Sequence, residues 1–265
     1  MIPKKIHYCW FGGNDMPDIV KKCIENWKQM LPDYEIIRWD ESNYDISKCK
    51  FMKQAYDNKK WAFVSDYARL DILYNNGGIY LDTNVQIIKK FDDLLELDGF
   101  CGFESGKNEK DLFVNVGLAV GMKKGLEVCK LLLSSYEELD FNNNKDNLKN
   151  ITCPVLQTTK LIEKGLKIEN IMQNVMGLNI FPIDYFCPMN QYTGKTMVTD
   201  NTYSIHLYSA TWFEPVDQER RKLRLKYSKY GPFLSNALST FFAYKKEYGF
   251  IKMWGNILKK INRKV

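Results

Sequence analysis

The chain has few of the residues that build zinc sites and disulfide frameworks. Its 265 residues include only two histidines, and its seven cysteines are odd in number, scattered and never spaced as C-x-x-C. Neither a zinc site nor a disulfide framework fits this pattern, which favours buried thiols in a reducing compartment. We therefore expect a cytoplasmic protein with free cysteines.

Long apolar runs are absent as well. No stretch approaches the roughly 18 apolar residues of a membrane-spanning helix, and the first residues lack the apolar core of a secretory signal. We therefore expect no transmembrane helix, and at most peripheral attachment to the inner face of the plasma membrane. The hydrophobic content of 45% and charged content of 26% are ordinary for a globular protein.

The pattern of apolar residues predicts alternating strands and helices. Its strand–helix–strand opening is typical of a parallel βαβ unit, so we expect an α/β domain over residues 1–217. The predicted strands are 4–11, 34–39, 79–88, 99–103, 113–120 and 203–208, the last as a core strand. The predicted helices are 17–30, 62–74, 126–136 and 159–165, with a polar loop at 140–150 and an irregular segment at 181–188.

The net charge of +6 is unevenly distributed. Residues 218–265 contain 13 Lys or Arg and 2 Asp or Glu, whereas the rest of the chain is mildly acidic. This segment is predicted to be helical with a break at Gly231-Pro232, and aromatic residues alternate with its basic ones. Such helices suit an anionic membrane surface. The alternative is a helix packed on the domain with a solvated basic face; no recognition motif indicates nucleic acid.

An acidic motif follows an apolar stretch at residues 77–84, Gly-Gly-Ile-Tyr-Leu-Asp-Thr-Asn. In an extended chain, Asp82 and Asn84 project to the same side because strand side chains alternate. Their oxygens suit Mg²⁺ or Mn²⁺, ions that commonly hold phosphates. The alternative is that Asp-Thr-Asn forms only a turn, since all three residues favour turns.

Three further sites in the sequence are candidates for ligand binding. Asp66 and Arg69 are three residues apart and share a helix face. They form either a solvated ion pair or a ligand site, in which Asp66 accepts hydrogen bonds from sugar hydroxyls and Arg69 donates to oxygens of the molecule that carries the sugar. Trp10, followed by Gly12-Gly13, ends the first strand, where open α/β sheets bind ligands; Trp10 either stacks on a base or packs in the core. His206, at a late strand end, is either structural or a ligand for a metal or phosphate.

Three blocks of the chain together resemble the family 32 glycosyltransferases. The blocks are residues 2–13, residues 65–70 with 74–82, and His206 with Thr211-Trp212. This family includes bacterial capsular-polysaccharide and lipopolysaccharide sugar transferases. The yeast initiating mannosyltransferase and the clostridial glucosylating toxins are more distant relatives. The resemblance spans residues 2–212 and does not extend to the basic segment.

The resemblance implies an α/β fold of the GT-A type, with a Rossmann-like nucleotide-binding start and a mixed central sheet flanked by helices. It also implies a UDP-linked sugar donor, Mn²⁺ or Mg²⁺, retention of anomeric configuration, and a glycan or lipid-linked acceptor. The predicted catalytic residues are Asp66, Arg69, Asp82 and Asn115. The predicted donor-binding residues are Trp10, Gly12, Gly13, Asp66, Arg69, Tyr80, Asp82, Thr211 and Trp212. The predicted metal ligands are Asp82, Asn84 and His206.

Two of these assignments carry their own alternatives. Asn84 stands where the family usually has Asp; an amide oxygen ligates a hard cation without adding charge, so we expect weaker metal affinity. Asn115 either supports the sugar from the face opposite the leaving group or is a turn residue at a strand end.

Two other functions compete with sugar transfer. A haloacid-dehalogenase-like phosphatase also places Asp-x-Asp after an apolar strand, but it requires Thr or Val where this chain has Gln86. A non-catalytic glycan- or nucleotide-binding protein would explain Asn84 as a mark of lost catalysis.

Overall fold

The chain opens with a strand–helix–strand unit and continues with groups of consecutive strands and consecutive helices. The computed structural model describes residues 1–106, 111–208 and 215–262. The strands are β1 (Lys5–Cys9), β2 (Glu35–Trp39), β3 (Gly78–Tyr80), β4 (Val85–Ile87), β5 (Gly99–Ser105), β6 (Leu112–Asn115), β7 (Val120–Met122), β8 (Gln173–Val175), β9 (Leu178–Phe181) and β10 (Ser204–His206). The helices are α1 (Asp18–Met30), α2 (Lys50–Asp57), α3 (Trp61–Asn76), α4 (Glu127–Glu137), α5 (Phe141–Asn144), α6 (Cys153–Ile162), α7 (Ile183–Phe186), α8 (Pro215–Lys226) and α9 (Pro232–Asn262).

The central sheet is mixed and has the strand order β2-β1-β3-β7-β5-β9-β8, with β6 paired to β5. Strand β1 pairs in parallel with both β2 and β3, and β5 pairs in parallel with β9. The remaining pairs of this sheet are antiparallel. The predicted βαβ opening and the predicted mixed α/β sheet flanked by helices are therefore confirmed.

The two faces of the sheet are covered by separate apolar cores. Ile79 and Leu81 belong to the core that contains Trp27 of α1, whereas Tyr80 belongs to the core that contains Leu70 of α3. This alternation follows from the two-residue period of a strand. All seven cysteines are buried and free, as predicted.

His7 joins three neighbouring parts of the sheet. Trp39 Nε1 on β2 donates to His7 Nδ1 over 3.1 Å, and His7 Nε2 lies 2.9 Å from the carbonyl oxygen of Gly77. Because the indole nitrogen is only a donor, the imidazole is neutral and carries its hydrogen on Nε2. A Cβ at Gly78, where φ is 107°, would lie 2.8 Å from His7 Nε2, so the Gly-Gly pair allows this close packing.

Two predicted strands are wrong in extent. The region 79–88 forms two strands in different sheets, because the chain turns after Asp82, whose carbonyl accepts from Val85 N over 3.0 Å. The region 113–120 likewise contains a turn between β6 and β7. The predicted strand 203–208 forms β10, which pairs with β4 in a separate two-stranded sheet and is not part of the central sheet.

The predicted polar loop at 140–150 is also wrong. It forms the short helix α5 followed by a 3₁₀ helix, Lys145–Asn150. Asp140 Oδ1 accepts from Asn143 N over 3.1 Å, and Phe141 is fully buried against aromatic residues of α2 and α3. Tertiary burial of one aromatic ring therefore overrides the polar composition.

Other differences concern helix boundaries. Helix α2 is not predicted, α6 begins before the predicted 159–165, and the segment predicted to be irregular at 181–188 contains α7.

The chain divides into two compact units. The first comprises Met1–Met189 and Thr196–Ser209, and the second comprises Asn190–Lys195 and Ala210–Val265. Within the second unit, α8 and α9 pack around Val216, Ala243 and Tyr244. The predicted helical character and the break at Gly231-Pro232 are confirmed. The predicted domain boundary after residue 217 stays a prediction.

Among the helices in the part of the chain that the structure describes, none is long and apolar enough to cross a membrane.

We predict that His7 makes the stability of the fold depend on pH. Burial lowers the pKa of His7 below its usual 6.5, so the unfolded chain binds a proton more readily than the native one. The free energy of unfolding should therefore fall as the pH is lowered through 6.5, by at most about 1.4 kcal/mol per pH unit. Urea unfolding between pH 5 and pH 8 measures this slope. His7→Asn should flatten it, and an unchanged slope in that variant would show that other groups cause it.

Candidate functional site

A buried arginine bridges two aspartates at the carboxyl edge of the sheet. Arg69 Nη2 lies 3.0 Å from Asp66 Oδ1, on the same helix α3, and 3.1 Å from Asp82 Oδ1, just after β3. The exposed fractions of the Arg69, Asp66 and Asp82 side chains are 4%, 10% and 27%. The alternative of a solvated surface pair is therefore wrong, and only Asp82 is substantially open to solvent.

The guanidinium of Arg69 is held from several directions. Its Nε donates to the carbonyl oxygen of Ser65 over 3.2 Å, and its Nη1 lies 3.9 Å from Cys153 Sγ. The Tyr80 ring lies beneath it, with the guanidinium carbon 5.0 Å from the ring centroid. Tyr80 is only 1% exposed, so it supports Arg69 from below.

The two carboxyl groups share one cation and are partly desolvated. Burial raises the pKa of Asp66 to about 7, with Arg69 opposing the rise and Asp82 adding to it. Burial also raises the pKa of Asp82, and Arg69 again opposes it. When both are ionised, the cluster formed by Asp66, Arg69 and Asp82 has one negative charge in excess. A further cation near Asp82 would neutralise this charge.

Backbone pairing brings His206 to the cluster. His206 on β10 is in register with Val85 on β4, and Leu207 N donates to the carbonyl oxygen of Asn84 over 2.9 Å. As a result, His206 Nε2 lies 3.9 Å from Asp82 Oδ2. Two of the predicted metal ligands, distant in sequence, are therefore neighbours in space.

The third predicted ligand does not lie as expected. The prediction that Asp82 and Asn84 project from one extended strand is wrong, because Thr83 and Asn84 form a turn. Asn84 is nevertheless half-buried and adjoins the same segment.

The donor set fits a hard divalent cation only in part. Within the described residues, no group of three or more His, Cys, Asp or Glu has the geometry of a metal site. One carboxylate, one imidazole and one amide are too few to enclose an ion. They do suit Mg²⁺ or Mn²⁺, which keeps several waters and takes its other oxygens from substrate phosphates.

Gly117 lets the chain approach the cluster closely. Its carbonyl oxygen accepts from Asp82 N over 3.2 Å, and a Cβ on it would overlap the Asp82 carboxylate and lie 2.5 Å from Arg69 Nη1. Asn115, at the end of β6, accepts from Gly117 N through Oδ1 over 2.7 Å and donates through Nδ2 to Glu104 Oε2 over 2.9 Å. Asn115 thus makes a turn at a strand end, the alternative considered from the sequence.

The end of β1 provides a second group at the same edge, since β1 and β3 are parallel neighbours. Trp10 is half-exposed and therefore not a core aromatic. Gly12 has φ 93°, its N–H donates to Glu41 Oε1 over 2.6 Å, and a Cβ on it would lie 2.5 Å from the Trp61 ring. Gly13, with φ 65°, faces open space.

Sequence reasoning missed several residues of this region. Glu104, Trp61 and Tyr208 contact predicted site residues, but no local motif contains them. The predicted residues Thr211 and Trp212 lie outside the described part of the chain.

Comparison with known proteins identifies relatives of the chain. Residues 1–230 match the family described as "Capsular polysaccharide synthesis protein". An uncharacterized glycosyltransferase of Acanthamoeba polyphaga mimivirus is 26% identical over 221 residues, which are 80% of this chain and 84% of the relative. Inositol phosphoceramide mannosyltransferase 3 of Schizosaccharomyces pombe is 35% identical over 102 residues, 36% of this chain and 27% of the relative. Among solved structures, the PaToxG glycosyltransferase has a TM-score of 0.46 and 17% identity, covering 62% of this chain and 70% of that one.

We predict that Arg69 contributes strongly to stability because its removal leaves the buried Asp66 and the partly buried Asp82 without a cation. Arg69→Met should lower the free energy of unfolding by about 3–5 kcal/mol at pH 8. The matched control is Lys53→Met, which removes an exposed i,i+4 pair with Asp57 and should cost less than about 1 kcal/mol. Chemical denaturation measures both. Equal costs would contradict the buried bridge.

Proposed function

Because the chain belongs to the family of capsular polysaccharide synthesis proteins and is a glycosyltransferase, we propose that it transfers a sugar from a UDP-linked donor to a glycan or lipid-linked oligosaccharide in surface polysaccharide synthesis. We further propose that the anomeric configuration is retained. The glycosyltransferase relationship predicted from the sequence is confirmed; donor, acceptor and stereochemistry are the proposal.

The observation that carries this proposal is the buried bridge of Arg69 between Asp66 and Asp82. It lies at the carboxyl ends of parallel strands, where α/β sheets bind ligands, next to a loop in which Gly13 faces open space and lets a ligand approach the backbone. A guanidinium offers five N–H donors, of which Ser65, Cys153, Asp66 and Asp82 engage four. The remaining N–H, on Nη1, is available to a phosphate or sugar oxygen. Asp66 offers a carboxylate to sugar hydroxyls.

We assign metal binding to Asp82, His206 and Asn84. The closeness of Asp82 to His206 supports the assignment, as does the excess negative charge that arises when both Asp66 and Asp82 are ionised. A bound Mn²⁺ or Mg²⁺ supplies positive charge for the leaving nucleoside diphosphate. Asn84 adds an oxygen but no charge, so the proposal includes weak metal affinity.

The protein's own residues then have the following roles. Arg69 stabilises the negative charge that grows on the leaving diphosphate, and its fixed position minimises reorganisation during the reaction. Asp66 orients the donor sugar through its hydroxyls, while Trp10 and Gly12-Gly13 receive the nucleoside. In the proposed same-face attack, the leaving phosphate takes the acceptor proton, so no protein base is required.

We also propose that the second unit binds an anionic membrane surface, where a lipid-linked acceptor would be found. The turn between α8 and α9 and the first residues of α9 expose apolar side chains: Phe233 is 84% exposed, and Tyr230 and Leu234 are each 51% exposed. Lys229 lies over the Tyr230 ring, so positive charge and apolar surface occur together. This combination suits insertion at the level of anionic headgroups. It would place the protein on the inner face of the plasma membrane.

We predict turnover of a nucleotide sugar that depends on Asp82. A panel of nucleotide sugars, tested for hydrolysis and transfer with and without Mn²⁺, should identify at least one donor. Asp82→Ala should lower kcat/KM by about 100-fold or more, because it removes a metal ligand and a partner of Arg69. Asp57→Ala, at an exposed carboxylate of α2, is the control and should be unaffected.

Other outcomes would point to the competing functions. Donor binding without turnover would indicate a binding protein, and release of phosphate from simple phosphomonoesters would indicate a phosphatase. Failure to bind any nucleotide sugar would contradict the transferase proposal.

We predict that the exposed turn drives membrane binding. Phe233→Ser with Leu234→Ser should reduce sedimentation with phosphatidylglycerol vesicles several-fold, because it removes the apolar side chains that enter the interface. Met197→Ser, at a 62% exposed position of the first unit, is the matched control. Binding to neutral phosphatidylcholine vesicles should be weak. If the double variant sediments like the unmodified protein, this turn is not the attachment site.

A further inference from the structure

We propose that Glu104 is a positioning residue that holds the Asp82–Arg69 cluster from two sides. The inference rests on the proposed function and names a residue that no sequence motif contains. Glu104 lies near the end of β5 and is 6% exposed. Its Oε2 atom accepts from Asn115 Nδ2 over 2.9 Å and from Tyr208 OH over 3.0 Å.

The first arm runs through Asn115. Because Nδ2 donates to Glu104, the amide is oriented with Oδ1 towards Gly117 N, at 2.7 Å. The carbonyl oxygen of Gly117 in turn accepts from Asp82 N, and the Asp82 carboxylate and Arg69 occupy the space that a Cβ on Gly117 would fill. If the Asn115 amide rotated, Oδ1 would no longer accept from Gly117 N. The turn that contains Gly117, and with it the position of Asp82, would then be less firmly held.

The second arm runs through Tyr208. This residue adopts φ 49°, a conformation that non-glycine residues rarely take, and its hydroxyl also lies 2.8 Å from Cys187 Sγ. The Tyr208 ring meets the His206 ring edge-on, with centroids 4.2 Å apart. His206 Nε2 is 3.9 Å from Asp82 Oδ2. By holding the His206 ring in place, Tyr208 therefore also fixes the imidazole beside Asp82.

The hydrogen bonds of Glu104 allow a positioning role to be distinguished from a role as nucleophile or base. Both arms use the same oxygen, Oε2, as a hydrogen-bond acceptor. A glutamine has an oxygen that can accept both hydrogen bonds, although it lacks the negative charge. A positioning role therefore survives Glu104→Gln, whereas a role as nucleophile or base does not.

The test compares Glu104→Gln, Glu104→Ala and Tyr208→Phe by steady-state kinetics with the donor found in the panel. We expect kcat/KM of Glu104→Gln within about threefold of the unmodified enzyme. Glu104→Ala should lose about 100-fold, since misplacing a reacting group by about 1 Å has effects of this size. Tyr208→Phe, which removes one arm, should fall between them. Phe103→Leu, at a fully buried neighbour on β5, controls for destabilisation of the strand and should change kcat/KM little.

Crystal structures of the two Glu104 variants make the test independent of activity. Asp82 and Gly117 should shift by about 1 Å in Glu104→Ala and stay in place in Glu104→Gln. Unmoved residues in Glu104→Ala, or equal loss of activity in both variants, would overturn the inference. If the unmodified protein turns over no nucleotide sugar, the proposed function fails, while the structures still decide whether Glu104 positions Asp82.

Discussion

The rest of the site depends on one interaction, the ion bridge from Arg69 to Asp66 and Asp82. It connects helix α3 to the first turn after β3, and it does so with little access to water. Removing charges from water is costly, and a buried ion pair is weak evidence for stability alone. When both aspartates are ionised, the bridge carries excess negative charge, and Asp82 is its exposed side. A bound cation together with a phosphorylated ligand would balance that charge.

The fold places this bridge through a few precise contacts. His7 ties β1 to β2 and to the glycine pair that ends α3, which aligns the carboxyl ends of β1 and β3. The Gly12-Gly13 loop and Asp82 therefore share one edge of the sheet. On the other side, Gly117 has no side chain and admits Asp82 and Arg69 into the space that a Cβ would fill.

Local sequence patterns predict the parts of this arrangement that involve near neighbours. The βαβ opening, the helix with Asp66 and Arg69 on one face, and the Gly-Gly end of α3 all follow from spacing and composition. For Asp82-Thr83-Asn84 the sequence allows either an extended strand or a turn. The structure has the turn, so turn propensity prevails over strand alternation at these residues.

Contacts between distant segments could not be predicted in this way. The approach of His206 to Asp82 depends on the pairing of β10 with β4, and the bond from Tyr208 to Glu104 joins residues 104 positions apart. The burial of Phe141 converts a polar segment into helix for the same reason. These features depend on tertiary packing, which leaves no periodic signal in the sequence.

We propose that the edge formed by Arg69, Asp82 and the Gly12-Gly13 loop binds a nucleoside diphosphate. A crystal structure with UDP and Mn²⁺ would show this site, because manganese is located by its anomalous signal. We expect manganese bound to Asp82, phosphate oxygens within hydrogen-bond distance of Arg69, and uracil beside Trp10. Density for UDP and manganese at another place, with Arg69 and Asp82 contacting neither, would contradict it.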